Sequence, residues 1–94
     1  MSKTLKANKV RKALVKKGFK EKKSRHLKFT LHINGKKQRI WTVMSHSRKD
    51  IPIWLQKRMM KQLKFEAEED FYNFVECPMS YEDYVSYLEK RGYL

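Results

Sequence analysis

Apolar residues recur along this chain in two rhythms, one near four residues and one of two. Residues 8–17 follow the first: Val10, Ala13 and Leu14 make a stripe at helical spacing. Asn8 suits the N-cap of that helix and Gly18 its C-terminal stop. Lys9, Lys12 and Lys16 fall together on another face of it. Residues 19–23 read as a short first strand. Residues 26–33 alternate, with Leu27, Phe29, Leu31 and Ile33 on one side and His26, Lys28, Thr30 and His32 on the other. Asn34-Gly35 then predicts a type I′ hairpin turn, because both residues tolerate positive φ. A strand over residues 37–44 follows.

The facing of this last strand has two solutions. A two-residue turn pairs Ile33 with Lys36, Phe29 with Ile40 and Lys28 with Trp41, which leaves Trp41 on the polar face, where it could stack a base. A three-residue turn with a bulge pairs Phe29 with Trp41 and sends the indole into the core.

Residues 45–50 are polar and predict a loop. Pro52 fits the first turn of a helix that runs to about Leu63, burying Ile53, Leu55, Met59, Met60 and Leu63. Residues 66–76 predict another helix, with an acidic first turn that suits the helix dipole and a stripe of Phe71, Phe74 and Val75. Pro78 breaks the chain. Ser80 and Asp83 form a capping box for a last helix, which presents Tyr81, Tyr84, Val85 and Leu88 and stops before Gly92. The fold class is therefore α+β: a three-stranded antiparallel meander covered on one face by helices, with its other face open.

Charge sharpens the picture. The chain has 94 residues and a formal net charge of +13. Residues 1–49 carry 17 Lys and Arg against the single acid Glu21, a local +16, whereas residues 50–94 carry 6 against 9, a local −3. A half-chain so charged repels itself unless an anion relieves it, and nucleic acid, RNA above all, is the expected partner. A membrane is not, because the first helix is thinly apolar and no run is long enough to span a bilayer. One cysteine, Cys77, allows no disulfide within the chain. The N-terminus lacks the apolar stretch of a signal peptide, so the cytoplasm is the expected location.

Few residues offer chemistry. There is no glycine-rich phosphate loop, no zinc-type spacing of Cys and His, and no evident carboxylate pair, so no metal or other cofactor is expected. The histidines are the candidates. Imidazole can act as base or acid near neutral pH, and His26 sits in the basic run Lys22-Lys23-Ser24-Arg25-His26. As base it would take the proton of a ribose 2′-OH, so that the oxygen attacks the adjacent phosphorus without a metal. Arg25 and Lys28 would stabilise charge developing on the phosphate. His26 and His32 share a polar face, and His46 follows the third strand.

Four segments in order give a resemblance: LVKKGF at 14–19, SRHLKF at 24–29, TVMSHS at 42–47 and IPIWLQKRMMKQL at 51–63. Over about residues 8–65 the chain resembles the HicA toxins, small mRNA interferases of toxin–antitoxin systems with a double-stranded-RNA-binding-domain-like fold. Ser24 and Arg25 stand where that family has glycine and serine, and Met44 where proline is usual. The resemblance implies an endoribonuclease with His26 as catalytic residue and a HicB-like antitoxin as protein partner; it leaves a homodimer open. Residues 1–65 become the basic core, and residues 66–94 a helical extension packed on the same domain. That extension either limits RNA access or simply enlarges the core. The RNA-binding residues expected are Lys9, Lys12, Lys16, Lys22, Lys23, Arg25, Lys28 and Trp41. The alternative is a non-catalytic RNA-binding module using the same surface.

Overall fold

The computed structural model describes residues 4–45, 49–76 and 79–94. His46, Cys77 and Pro78 lie outside them. The elements are β1 (Leu5–Lys6), α1 (Ala7–Lys16), β2 (Phe19–Lys23), β3 (Leu27–Ile33), β4 (Lys36–Met44), β5 (Asp50–Ile51), α2 (Ile53–Gln62), α3 (Glu68–Glu76) and α4 (Tyr81–Lys90). Strands β2, β3 and β4 form an antiparallel sheet with β3 in the middle. The α+β class, the meander and the α-β-β-β-α order of a double-stranded-RNA-binding-domain-like core are all present.

Helix α1 starts one residue before the expected position. Leu5 and Lys6 pair with Ile51 and Asp50 in a two-stranded ribbon that short-range patterning does not announce. The ribbon delivers the chain straight into the helix, and the Ala7 amide donates to the Lys49 carbonyl at 2.8 Å. A distant backbone carbonyl thus does the work expected of Asn8, which lies inside the helix instead. Gly18 stops the helix with φ +89°. A Cβ built there would sit 2.7 Å from Tyr81 Cε1 and 3.3 Å from the His32 carbonyl.

The β3–β4 pairing combines features of both expected registers. Asn34 and Gly35 have φ of 52° and 78°, and Ile33 pairs with Lys36, so the two-residue turn is present. A bulge then intervenes. His32 pairs with Lys37 but Thr30 pairs with Trp41, so Gln38, Arg39 and Ile40 lie opposite Leu31 alone. The expected partners of Phe29 and Lys28 are corrected: they are Thr42 and Val43, not Ile40 and Trp41. Because the offset is two residues and side chains alternate with period two, the faces do not invert. Ile40, Thr42 and Met44 point into the core, and Trp41 points out, 42% exposed.

The core lies between the sheet's inner face and the helices. Leu14, Phe19, Phe29, Leu31, Met59, Leu63, Phe65, Phe71, Phe74, Tyr84 and Leu88 belong to one buried cluster, so α3 and α4 share it with the sheet. Phe74 meets Phe19 edge-on at 6.1 Å and Tyr84 at 4.9 Å. Contrary to expectation, Ile53 at the start of α2 is exposed. Gln56 occupies the inward position, buried completely. Its amide donates to the Ile51 carbonyl at 2.9 Å and its oxygen accepts from the Tyr72 hydroxyl at 3.3 Å. Apolar periodicity cannot reveal a buried glutamine whose polar atoms are satisfied.

Two outcomes test this packing. Gly18→Ala combines left-handed strain with a collision against Tyr81 and should lose about 2–3 kcal/mol in urea unfolding. Gly35→Ala, with nothing near its Cβ, should lose only about 1 kcal/mol. The Tyr84 hydroxyl is buried and donates to the Leu63 carbonyl at 2.9 Å. Burial, and secondarily the neighbouring Tyr87, raise its pKa well above the ordinary phenol value. The unfolded chain therefore loses this proton first, near pH 10, and stability contributed below that pH is lost as pH rises. Tyr84→Phe should cost about 1–2 kcal/mol at neutral pH. Between pH 10 and 11.5 the wild type should weaken more steeply than the variant, and the gap between them should narrow.

Candidate functional site

Alternation on a bulged but parity-keeping sheet fixes what the outer face carries. Lys20 pairs with Thr30 and Lys22 with Lys28 across β2 and β3; Lys28 pairs with Val43 and Thr30 with Trp41 across β3 and β4. These side chains share the face away from the helices. Glu21 is the only acid in the three strands, and it faces inward, opposite Phe29. There the Arg11 guanidinium of α1 grips its carboxylate through both oxygens, with Nη2 to Oε2 at 2.7 Å. The outer face therefore carries lysines and no acid of these three strands. Lys28 Nζ sits 4.8 Å from the Trp41 ring centroid, a cation–π contact that sets the indole beside an ammonium group.

His26 stands at one end of this face, in the turn between β2 and β3 rather than within the strand. The turn is closed by Ser24, whose amide and hydroxyl donate to the His26 carbonyl at 3.2 and 3.3 Å. The side chain is exposed and lines a cleft of about 260 Å³ with Val43, Met44, Ser45, Trp54, Leu55 and Arg58. No sequence period or spacing brings Ser45, Trp54 or Arg58 to His26. They come from the end of β4 and the first turns of α2, and only the fold joins them. Trp54 is 54% exposed, and Arg58, one turn further along, lies 5.5 Å from its ring. The signal available in sequence was an apolar residue out of phase with the buried stripe of α2 and a basic residue four positions on.

The remaining expected residues divide by location. Lys22 and Lys28 lie on the outer face, with Trp41. Lys23 and Arg25 are exposed at the strand end and turn next to His26. Lys9, Lys12 and Lys16 do not join them. They project from α1 in the helix layer, bordering Val75 of α3, and Lys9 Nζ is held by Glu76 at 2.5 Å. His32 is also separate. It stands six residues from His26 on an extended strand, about 20 Å away, with Nδ1 3.0 Å from the Thr30 carbonyl.

Among the described residues no group of His, Cys, Asp and Glu is placed to hold a metal ion, and no helix is long and apolar enough to cross a membrane. No curated protein and no solved structure matches this chain. A family profile described as "HicA toxin of bacterial toxin-antitoxin" matches residues 7–65. That span runs from the first residue of α1 to three residues past the end of α2 and includes the outer face and the His26 cleft. The chain belongs to the HicA toxin family.

Proposed function

We propose that this toxin is an endoribonuclease that cuts RNA without a metal, with His26 as the general base. The observation that carries the reading is the His26 cleft: an exposed imidazole and the Arg58 guanidinium line one opening at the end of an acid-free basic face. His26 takes the proton from the ribose 2′-OH. The 2′-oxygen bonds to the adjacent phosphorus, the bond from phosphorus to the 5′-oxygen breaks, and the departing oxygen receives a proton from the imidazolium or from water. A 2′,3′-cyclic phosphate and a 5′-hydroxyl result. Arg58 stabilises the charge gathering on the phosphoryl oxygens, a role the sequence suggested for Arg25 and Lys28. Those two, with Lys22 and Lys23, hold the flanking phosphates, and binding weakens steeply with salt. Lys9, Lys12 and Lys16 contribute at most to a second, separate patch, since Lys9 is engaged by Glu76. The protein partner is an antitoxin of the HicB type.

Two results follow for cleavage of a labelled oligoribonucleotide. His26→Ala should abolish cutting while leaving the unfolding midpoint and RNA affinity nearly unchanged, and EDTA should have no effect on the wild type. Cutting that survives in His26→Ala would remove this residue from the chemistry. Arg58→Ala should lower the turnover rate about 10²-fold or more, with affinity reduced far less. RNA that binds the wild type but is never cut would favour the non-catalytic module.

A further inference from the structure

Trp54 is placed outward by the residues around it. The carbonyl of Pro52 accepts from the amides of Leu55 and Gln56 at 3.0 and 2.9 Å, which closes the first turn of α2. Leu55 is buried beneath, and Gln56 is clamped between Ile51 and Tyr72. The turn that carries the indole is thus tied to β5 on one side and α3 on the other. An outward tryptophan on so constrained a turn exposes a large apolar ring, and burial of such rings is strongly favoured. Its surroundings say what would cover it. Besides Trp54 the opening is lined by the basic residues His26 and Arg58 and by Val43, Met44, Ser45 and Leu55. At about 260 Å³ it falls just below the range of pockets that enclose drug-sized molecules, about 300–1,000 Å³. It has room for one planar ring system rather than an extended ligand.

Val43 extends the site. It lines the cleft and also projects from the outer face two residues after Trp41, opposite Lys28. Trp54 and His26 thus share a cleft whose Val43 wall lies two residues along β4 from a second aromatic platform with its own ammonium group. Successive unpaired bases stack on such platforms while cations track the backbone, and bases held in a duplex cannot reach them.

We propose that Trp54 is a base-stacking residue for single-stranded RNA, holding the nucleobase next to the phosphate that His26 acts on, with Trp41 receiving a base further along the strand. This assigns the substrate class of the proposed nuclease and rests on that reading for the position of the scissile phosphate, but not for the stacking itself. Although the scaffold resembles a duplex-binding fold, a blunt RNA duplex is a poor ligand. Trp54 acts as a positioning residue: it presents the ribose to His26 and takes no part in bond breaking.

The chain has two tryptophans, so Trp41→Phe leaves Trp54 as the sole indole reporter and Trp54→Phe leaves Trp41. Each variant is titrated with a short single-stranded RNA carrying 2′-fluoro groups, which cannot be cut by 2′-OH attack, and with its blunt duplex. Quenching of Trp54 that saturates with the single strand, and needs about tenfold more duplex, is expected. No response from Trp54 while Trp41 responds, or equal responses to both ligands, would overturn the assignment. In cleavage of unmodified RNA, Trp54→Ala should raise KM about tenfold or more with little change in kcat, and Trp54→Phe should recover most of the loss. An unchanged KM accompanied by a lower unfolding midpoint would make the residue structural and overturn the proposal. Saturable quenching of Trp54 in Trp41→Phe, together with wild-type protein that never cuts RNA, would sink the nuclease and leave the stacking site standing.

Discussion

The pairing of Thr30 with Trp41 across β3 and β4 decides which side of the sheet meets the helices and which meets solvent. Everything of chemical interest lies downstream of it. An offset of one residue would turn Trp41 and Val43 inward and push Thr42 and Met44 out. The offset of two at the bulge leaves the alternation intact while lengthening the path of β4 past Leu31. Thr42, a polar residue on the inner face, is accommodated because its hydroxyl donates to Gln62 Oε1 at 2.6 Å. That bond also ties β4 to the helix that supplies Trp54 and Arg58, so the register and the cleft are coupled through one side-chain contact.

Charge is sorted by the same geometry. The only acid of β2, β3 and β4 is drawn inward by Arg11, and most acids of the second half lie on α3 and α4. Among the described residues, the basic groups expected to meet RNA fall on two separate surfaces. One is the sheet face with its aromatic ring and cleft. The other is the α1 ridge, where Glu76 already engages Lys9. Net charge had suggested a single basic surface; the layering of helices on one side of the sheet divides it. Phe71, Phe74 and Tyr84 of the extension belong to the core, and Glu76 meets Lys9 of α1.

How much could be read beforehand follows from the range of the interactions. Short-range signals were reliable: Gly18, Asn34-Gly35 and the Ser80–Asp83 capping box all act within a few residues and occur where the sequence places them. Alternation in residues 26–33 gave the buried face of β3 correctly. What failed depended on distant partners. The Asn8 cap was displaced by the Lys49 carbonyl, Ile53 lost its inward place to Gln56, and the bulge opposite Leu31 left no mark in the pattern. The site divides the same way. His26 is a candidate already from its basic neighbours and the family resemblance. Trp54 and Arg58, nearly thirty residues on or more, become its neighbours only when α2 docks against β4.

The aromatic cluster has a consequence for how the molecule comes into being. Phe19 leads the sheet and Phe65 follows α2, yet both are sealed by Phe74 and Tyr84 from elements translated later. On the ribosome, the basic face and the cleft are therefore synthesised well before the rings that close the core beneath them. Until Tyr84 has emerged, the nascent chain carries its cationic surface on an unsealed scaffold with two phenyl rings bare. The sheet and α2 therefore depend on α3 and α4, made last, to cover their apolar underside.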